Sequence, residues 1–197
     1  MRNIPTTRKA LVGACAALAA ALLFCPPSPS PLAATSPRPL QGSEQFDIVY
    51  HITATAALDL WDISKPNVRR MMTEYPQITF REGDRVTVTA NGCVQTGGKG
   101  DTWKRYIDPK GPNADRLYHG LVWVPGATAG LVRIKDVLGK PLAIPFKADI
   151  PHRLYLRLGY EDNDYGDNGY WSPDNGTYDQ CKNTGPVVVT VRIEHPQ

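Results

Sequence analysis

Six acidic residues, Glu161, Asp162, Asp164, Asp167, Asp174 and Asp179, fall within residues 161–179 with no Lys or Arg among them. Carboxylates at that density repel one another, so something must offset their charge. Within the run, Asp162-Asn163-Asp164-Tyr165-Gly166-Asp167-Asn168-Gly169 sets oxygen donors at near-alternate positions, with glycines where a loop folds back. Calcium takes about six to eight such oxygens from carboxylates, amides and main-chain carbonyls and tolerates irregular geometry. The chemistry expected of this loop is therefore Ca2+ binding. It is not an EF-hand: the twelfth position from Asp162 is Pro173, and no Glu occurs from 162 to 193 to supply the bidentate ligand. The competing reading is a solvated acidic loop paired across the fold with the basic stretch Lys99, Lys104, Arg105, Lys110 and Arg116.

Catalytic arrangements fare worse. Outside a Pro/Ser-rich spacer the serines are Ser64 and Ser172, and neither sits in a G-x-S-x-G elbow. His51, His119, His152 and His195 are scattered singly and form no H-E-x-x-H pair. Asp162 with Asp174 or Asp101 could supply the two carboxylates of a glycosidase. Crowded Asp and Asn side chains on a short glycine loop nevertheless suit a cation better than an acid and base with separated pKa values. The expectation is a non-catalytic protein, with no catalytic residue assigned.

What positions such a loop begins with where the fold starts. Arg2, Arg8 and Lys9 precede an uncharged apolar run from Ala10 to Phe24, the charged and apolar regions of a secretory signal peptide. The run is short for a bilayer span. Leu32-Ala33-Ala34 offers the small residues for cleavage, and an uncleaved amino-terminal anchor is the alternative. Val12-Gly13-Ala14-Cys15 resembles a lipoprotein box but stands too early. From Pro26 to about Ser43 the chain reads PPSPSPLAATSPRPLQGS, a segment that buries nothing and acts as an extended spacer. The expected organisation is a signal peptide over 1–34, a spacer over 35–45 and one folded domain over 46–197. The chain is then secreted, with no membrane association after cleavage.

Loss of residues 1–34 removes three basic residues and leaves nineteen basic against nineteen acidic ones. The basic pI of the whole chain thus argues for no nucleic-acid partner. Cys15 and Cys25 leave with the leader, so Cys93 and Cys181 remain in an oxidising space and one disulfide is expected. Free or metal-binding thiols, the alternative, lack His and Cys neighbours at zinc-ligand spacing.

Strand patterns dominate the rest. Phe46, Ile48, Tyr50, Ile52 and Ala54 alternate with polar or smaller residues, as do Val86-Val88-Ala90, Leu154-Leu156-Leu158-Tyr160 and Val187-Val189-Val191-Ile193. Shorter apolar runs cover Ile78 to Phe80, Leu121 to Val124, Leu131 to Ile134 and Leu142 to Phe146. Turn signals at Glu82-Gly83-Asp84 and Pro125-Gly126 separate several of them. Only Asn67 to Glu74 has a helical character, and it is short. The pattern predicts an all-β protein, an antiparallel β-sandwich or jelly roll of about eight strands.

Several pieces in this order resemble a known family. They are Gly83-Asp84-Arg85-Val86-Thr87-Val88-Thr89-Ala90-Asn91-Gly92, Gly97 with Trp103, Gly130-Leu131-Val132-Arg133-Ile134, Tyr160-Glu161-Asp162 with Tyr165-Gly166-Asp167-Asn168, and a closing Val-rich strand. Over about residues 80 to 194 their order and spacing are similar to those of the small calcium-dependent galactose-binding bacterial lectins of the PA-IL type. The resemblance implies a jelly-roll-like sandwich in which calcium, held before the last strand, also binds two sugar hydroxyls. By motif it makes Asp162, Asp167 and Asn168 calcium ligands, sets Asp164 where a main-chain carbonyl serves, and sets Thr96 where the facing loop lends a carbonyl. The loop is two residues shorter than the family's, and its first paired Asn is an Asp. No secure counterpart of the sugar-contacting His stands here, though Asn113 and His119 lie in that region.

An insertion, Tyr170-Trp171-Ser172-Pro173-Asp174-Asn175-Gly176-Thr177-Tyr178-Asp179-Gln180-Cys181, precedes the last strand. Its aromatics, with Trp103, could stack on a sugar's C–H face or cover the end of the sandwich. The expected ligand-contacting set is Trp103, Asn113, His119, Tyr170 and Trp171. Because Cys93 opens the segment carrying Thr96 and Cys181 ends the insertion, a Cys93–Cys181 bridge would join the two halves of the site. Asn175-Gly176-Thr177 is also a glycosylation sequon. The functional expectation is a secreted, Ca2+-dependent, lectin-like protein whose partner is a glycan or small sugar. Its alternative is a metal-free structural or protein-interaction sandwich.

Overall fold

The computed structural model of the chain describes residues 44–97, 100–146, 154–171 and 173–197. The expected signal peptide, most of the spacer, Lys99, His152 and Ser172 lie outside the described residues. Twelve strands are present among the described residues. They are β1 (Ile48–Ala54), β2 (Leu58–Ser64), β3 (Met72–Thr79), β4 (Arg85–Asn91), β5 (Cys93–Thr96), β6 (Trp103–Arg105), β7 (Gly120–Trp123), β8 (Val132–Arg133), β9 (Leu142–Ala143), β10 (Tyr155–Tyr160), β11 (Asn168–Gly169) and β12 (Val188–Glu194). A single short α-helix, α1 (Ile134–Val137), and two 3₁₀ turns, Tyr165–Asp167 and Thr177–Asp179, accompany them among the described residues. No described helix is long and apolar enough to cross a membrane.

The strands form a five-stranded sheet in the order β1-β2-β12-β4-β9, a four-stranded sheet in the order β3-β10-β7-β8, and a small sheet in the order β11-β5-β6. Every paired strand in them is antiparallel. The protein is therefore an all-β sandwich, as the alternation predicts. Its core follows from period two. Val189 pairs with Ile63 and Ala90, and Val191 with Trp61 and Val88, so those residues share the inner face of the larger sheet. Leu156 opposite Tyr75 and Leu158 opposite Val122 do the same on the four-stranded sheet. Val187, Val189, Val191 and Ile193 are fully buried, and Cys93, Val94 and Trp103 of the small sheet join the same cluster.

Four expectations need correction. The strand count rises from about eight to twelve, chiefly because β2, β5, β6 and β11 carry no clean alternation. Asn67 to Glu74 is not helical; Met72–Glu74 open β3, where pairing with β10 supplies their backbone partners. Leu131 to Ile134 is a strand only at Val132–Arg133, and Ile134 starts the one helix. In β1 the facing is reversed: Val49 packs on the core, while Tyr50 and Ile52 are each 52% exposed. That strand is the sheet's edge and its register slips between His51 and Thr53, so its alternation is not tied to burial along its length.

Glycine is obligatory at one point near the site. Gly92, between β4 and β5, has φ +109°, and an added Cβ would lie 2.5–2.7 Å from backbone atoms of Pro186 and Val187. Backbone cannot step aside as a side chain can, so the turn from the large sheet into the small one depends on this residue.

Candidate functional site

The acidic loop leaves β10 at Tyr160 and returns as β11. Its first carboxylate, Glu161, is already paired, with Arg133 Nε 3.0 Å from Oε2. Asp162 Oδ1 accepts the backbone N–H of Asn163 at 2.7 Å and of Asp164 at 3.2 Å. Asp164 Oδ1 accepts Gly166 N–H at 2.9 Å and so caps the 3₁₀ turn Tyr165–Asp167. Tyr165 anchors that turn by donating its hydroxyl to the Tyr160 carbonyl, 3.1 Å away. Asn168 then enters β11 opposite Thr96, with Gly169 opposite Gln95. The facing position expected of Thr96 is thus its place in the fold.

Besides Glu161 Oε2, which lies 3.0 Å from Arg133 Nε, two buried side-chain oxygens in this loop have no donor. Asn168 is fully buried; its Nδ2 donates to the Val68 carbonyl at 3.0 Å and its own carbonyl accepts Arg69 Nε at 2.8 Å, yet Oδ1 has no partner. Asp162 Oδ2 is likewise buried and unpartnered. A buried acceptor without a donor forfeits its hydration for nothing in return. Burial first, then the neighbouring Asp164 and Asp162 carboxylates, push the Asp167 carboxyl above its ordinary range. Asp167 lies by the Gly97 turn, where an added Cβ would come 3.9 Å from its Oδ2.

Those atoms suit a hard cation in kind: two donor-less oxygens, an uncomfortable carboxylate and a strand partner, Thr96. They do not amount to a carboxylate cage, because no three described His, Cys, Asp or Glu side chains stand together as a metal-holding group. A metal here would lean on amide and main-chain oxygens. Asp164, whose side chain is spent on the cap, would have its main-chain carbonyl to offer.

Besides Arg133 at Glu161, one member of the basic stretch, Lys104, lies near these acids, as the alternative reading of the sequence expects of that stretch. Lys104 of β6 is 8% exposed, with its ammonium 4.9 Å from the centre of the Tyr118 ring. Burial lowers its pKa, and the Asp174 and Asp162 carboxylates oppose that shift. The other described members of the stretch, Arg105, Lys110 and Arg116, form no ion pair with these acids. Arg105 Nε donates to the Gln180 carbonyl, Lys110 N–H to Gln180 Oε1, and Arg116 Nη2 to Asn113 Oδ1.

The expected sugar contacts divide. Trp103, 1% exposed, and Tyr170, whose hydroxyl donates to the Pro66 carbonyl at 3.0 Å, are core residues with no free ring face. The reading of both as stacking platforms is corrected accordingly. Trp171 lies at the surface, with the Arg69 guanidinium 5.0 Å from its ring and 5.2 Å from Phe46. Asn113 is exposed, and His119 is buried with Nε2 donating to the Ala114 carbonyl at 2.7 Å. The chain does bring this loop to the acidic one: Tyr118 N–H donates to the Glu161 carbonyl at 2.7 Å, and Glu161 N–H to that of His119 at 3.0 Å. Between them opens a cleft of about 400 Å³ whose walls include Met71, Arg116, Leu117, Leu131, Asp162 and Tyr165. Leu131 reads in sequence as part of a strand and Met71 as part of a short helical stretch, and neither reading points to a cleft wall.

Burial, aided by Arg133 and Lys135, holds His119 below its ordinary pKa of 6.5. In that case the unfolded chain binds a proton that the fold refuses, so stability falls as pH drops through about 6.5. The parent's melting temperature should fall between pH 7 and 5.5 more than that of His119→Gln; equal slopes would show that His119 does not titrate with folding.

The insertion is secured on three sides. Cys93 and Cys181 form a disulfide, Cα–Cα 6.1 Å, across 88 residues. Asp174 accepts from Thr102 N–H and Oγ1, Trp103 N–H and Gly176 N–H at 2.7–3.2 Å. Gly176, at φ +67°, passes so close to Trp103 that an added Cβ would meet its carbonyl oxygen at 2.2 Å. Thr96 and Cys181 are thus tied to one small sheet. Comparison with protein-family models, with curated proteins and with solved structures finds no match to this chain.

Proposed function

We propose that the protein is a secreted, non-catalytic, lectin-like β-sandwich that binds Ca2+ in the Asp162–Asn168 loop and a neutral sugar beside it. The observation that carries the reading is the pair of buried oxygens without donors, Asp162 Oδ2 and Asn168 Oδ1, flanking a carboxyl, Asp167, that burial and two neighbouring carboxylates oppose. Calcium bound there would neutralise this charge and offer open coordination positions to sugar hydroxyls. The loop 113–119 and the cleft beside Asp162 supply the wall against which a sugar ring would lie. The resemblance to PA-IL-type lectins supports the same assignment, and the disulfide accords with an oxidising destination.

The test is the melting temperature with calcium and with excess chelator. A ligand at a hundred times its dissociation constant stabilises by about 2.7 kcal/mol, a rise of roughly 5 °C or more for a domain of this size. Asp162→Ala with Asp167→Ala should abolish the rise. Superimposed melts would remove the metal and, with it, the calcium-dependent sugar site.

A second reading is favoured by Lys104, the ammonium that Asp162 and Asp174 both help to keep charged. On that reading the loop is internally compensated and the protein is a metal-free interaction module. Lys104→Met separates the two. If calcium is the intended cation, removal of the competing charge tightens calcium binding several-fold in a titration; if Lys104 is, the variant melts lower and still ignores calcium.

A further inference from the structure

We propose that the cleft of about 530 Å³ at the Cys93 end of the small sheet is a second carbohydrate subsite, taking a neutral sugar ring without a metal. The proposal rests on the carbohydrate half of the preceding reading and not on its calcium half.

Its walls include Asn91, Arg105, Asp108, Lys110, Tyr178 and Asp179. Tyr178 is 78% exposed, so its ring contributes little to the core. Yet it is held at φ 60°, ψ 32°, with Asp179 at φ 53° behind it. Two successive left-handed residues, one of them aromatic, are costly and persist only where the surroundings over-determine them. Those surroundings are visible. Gln180, buried beneath, accepts from Arg105 and Lys110 N–H and donates to the Lys110 and Thr177 carbonyls. The Cys93–Cys181 disulfide and the Asp174 bonds to Thr102, Trp103 and Gly176 brace the same loop. The loop's rigidity therefore serves to present an open aromatic face, since the ring itself is not needed to fill space.

The lining specifies the ligand's chemistry. Two cations stand against two carboxylates, which favours neither an anion such as phosphate nor a polyamine. The Lys110 ammonium and the Asp108 and Asp179 carboxylates make no hydrogen bond or ion pair with any described residue, and so remain to bind a guest. Groups that both donate and accept, beside an aromatic face, match a ring that is hydroxylated at its edge and apolar on its C–H face. The cleft is distinct from the acidic loop: Cys93 pairs with Arg105 at one end of β5, and Thr96 with Asn168 at the other, three residues and roughly 10 Å along the strand.

The experiment is a neutral-glycan array probed with the protein in excess EDTA, with half-saturation measured for each glycan bound. We expect chelator-resistant binding that survives Asp162→Ala with Asp167→Ala and Tyr178→Phe, and weakens at least tenfold in Tyr178→Gly. The glycine variant relieves the left-handed strain, so it should melt no lower than the parent. Should it melt lower, Asp108→Asn, an isosteric change at an exposed residue, decides the matter and should weaken binding at least threefold. The proposal is overturned if the protein binds no neutral glycan in EDTA, or if such binding is indifferent to the deciding variant. A calcium-independent melt with EDTA-resistant binding intact would remove the metal site and leave this one standing.

Discussion

Replacing both cysteines, Cys93→Ser with Cys181→Ser, should cost about 4–5 kcal/mol of stability and lower the melting temperature by roughly 10 °C or more. The bridge spans 88 residues of sequence, so in the denatured chain it withdraws much of the freedom of that loop. Both sulfurs are buried, and two serine hydroxyls in their place would also need partners that the core does not offer. Calorimetry of the oxidised parent against the double variant measures the loss. A shift of only a degree or two would mean that the denatured chain keeps these segments together without the bond. The functional consequence is separable. With β11-β5-β6 intact, the proposed calcium response of the loop should survive at the Thr96 end, while the insertion ending at Cys181 loses its covalent hold.

Trp103→Ala should cost about 3–5 kcal/mol, as expected of a large aromatic deleted from a packed interior. The residue is 1% exposed, so its ring fills the core, and its backbone N–H donates to Asp174 Oδ1 at 3.1 Å, so its main chain ties β6 to the insertion. Trp103→Phe should lose much less, since it keeps an aromatic body and removes an indole N–H that has no acceptor. Urea denaturation of the three proteins settles the role. A Trp103→Ala variant that unfolds with the parent but no longer binds sugar would restore the residue to the ligand and contradict its burial.

The reversal at Trp103 shows what the sequence conceals. Aromatics beside polar residues read the same whether they face water or the core; which way they turn depends on partners distant in the chain, here Pro66 for Tyr170 of the insertion and Asp174 for the backbone of Trp103 in β6. The strands legible by alternation, β4, β10 and β12, are interior to their sheets and carry one face fully buried. β2 escaped notice because Asp59, Trp61 and Ile63 share its inner face with an acid among them; β1 reads as a strand but with the wrong face inward, because an edge strand need not honour its pattern. The loop's donor atoms and the bond between the two cysteines could be read from residue type alone. The basic stretch is legible as a partner for the loop; that Lys104 alone of its described members would be buried near those acids is not, since burial of one lysine among several leaves no mark in sequence.

The place of β12 bears on how the chain is made. This last described strand is central: β2 and β4 pair with it and not with each other, so without Val188–Glu194 the larger sheet falls into two fragments, β1-β2 and β4-β9. During synthesis nothing upstream can stand in for it, and its fully buried valines have no surrogate. Closure of the larger sheet therefore waits on residues 188–194, so its long-range pairings complete late in folding whatever the smaller sheets do first.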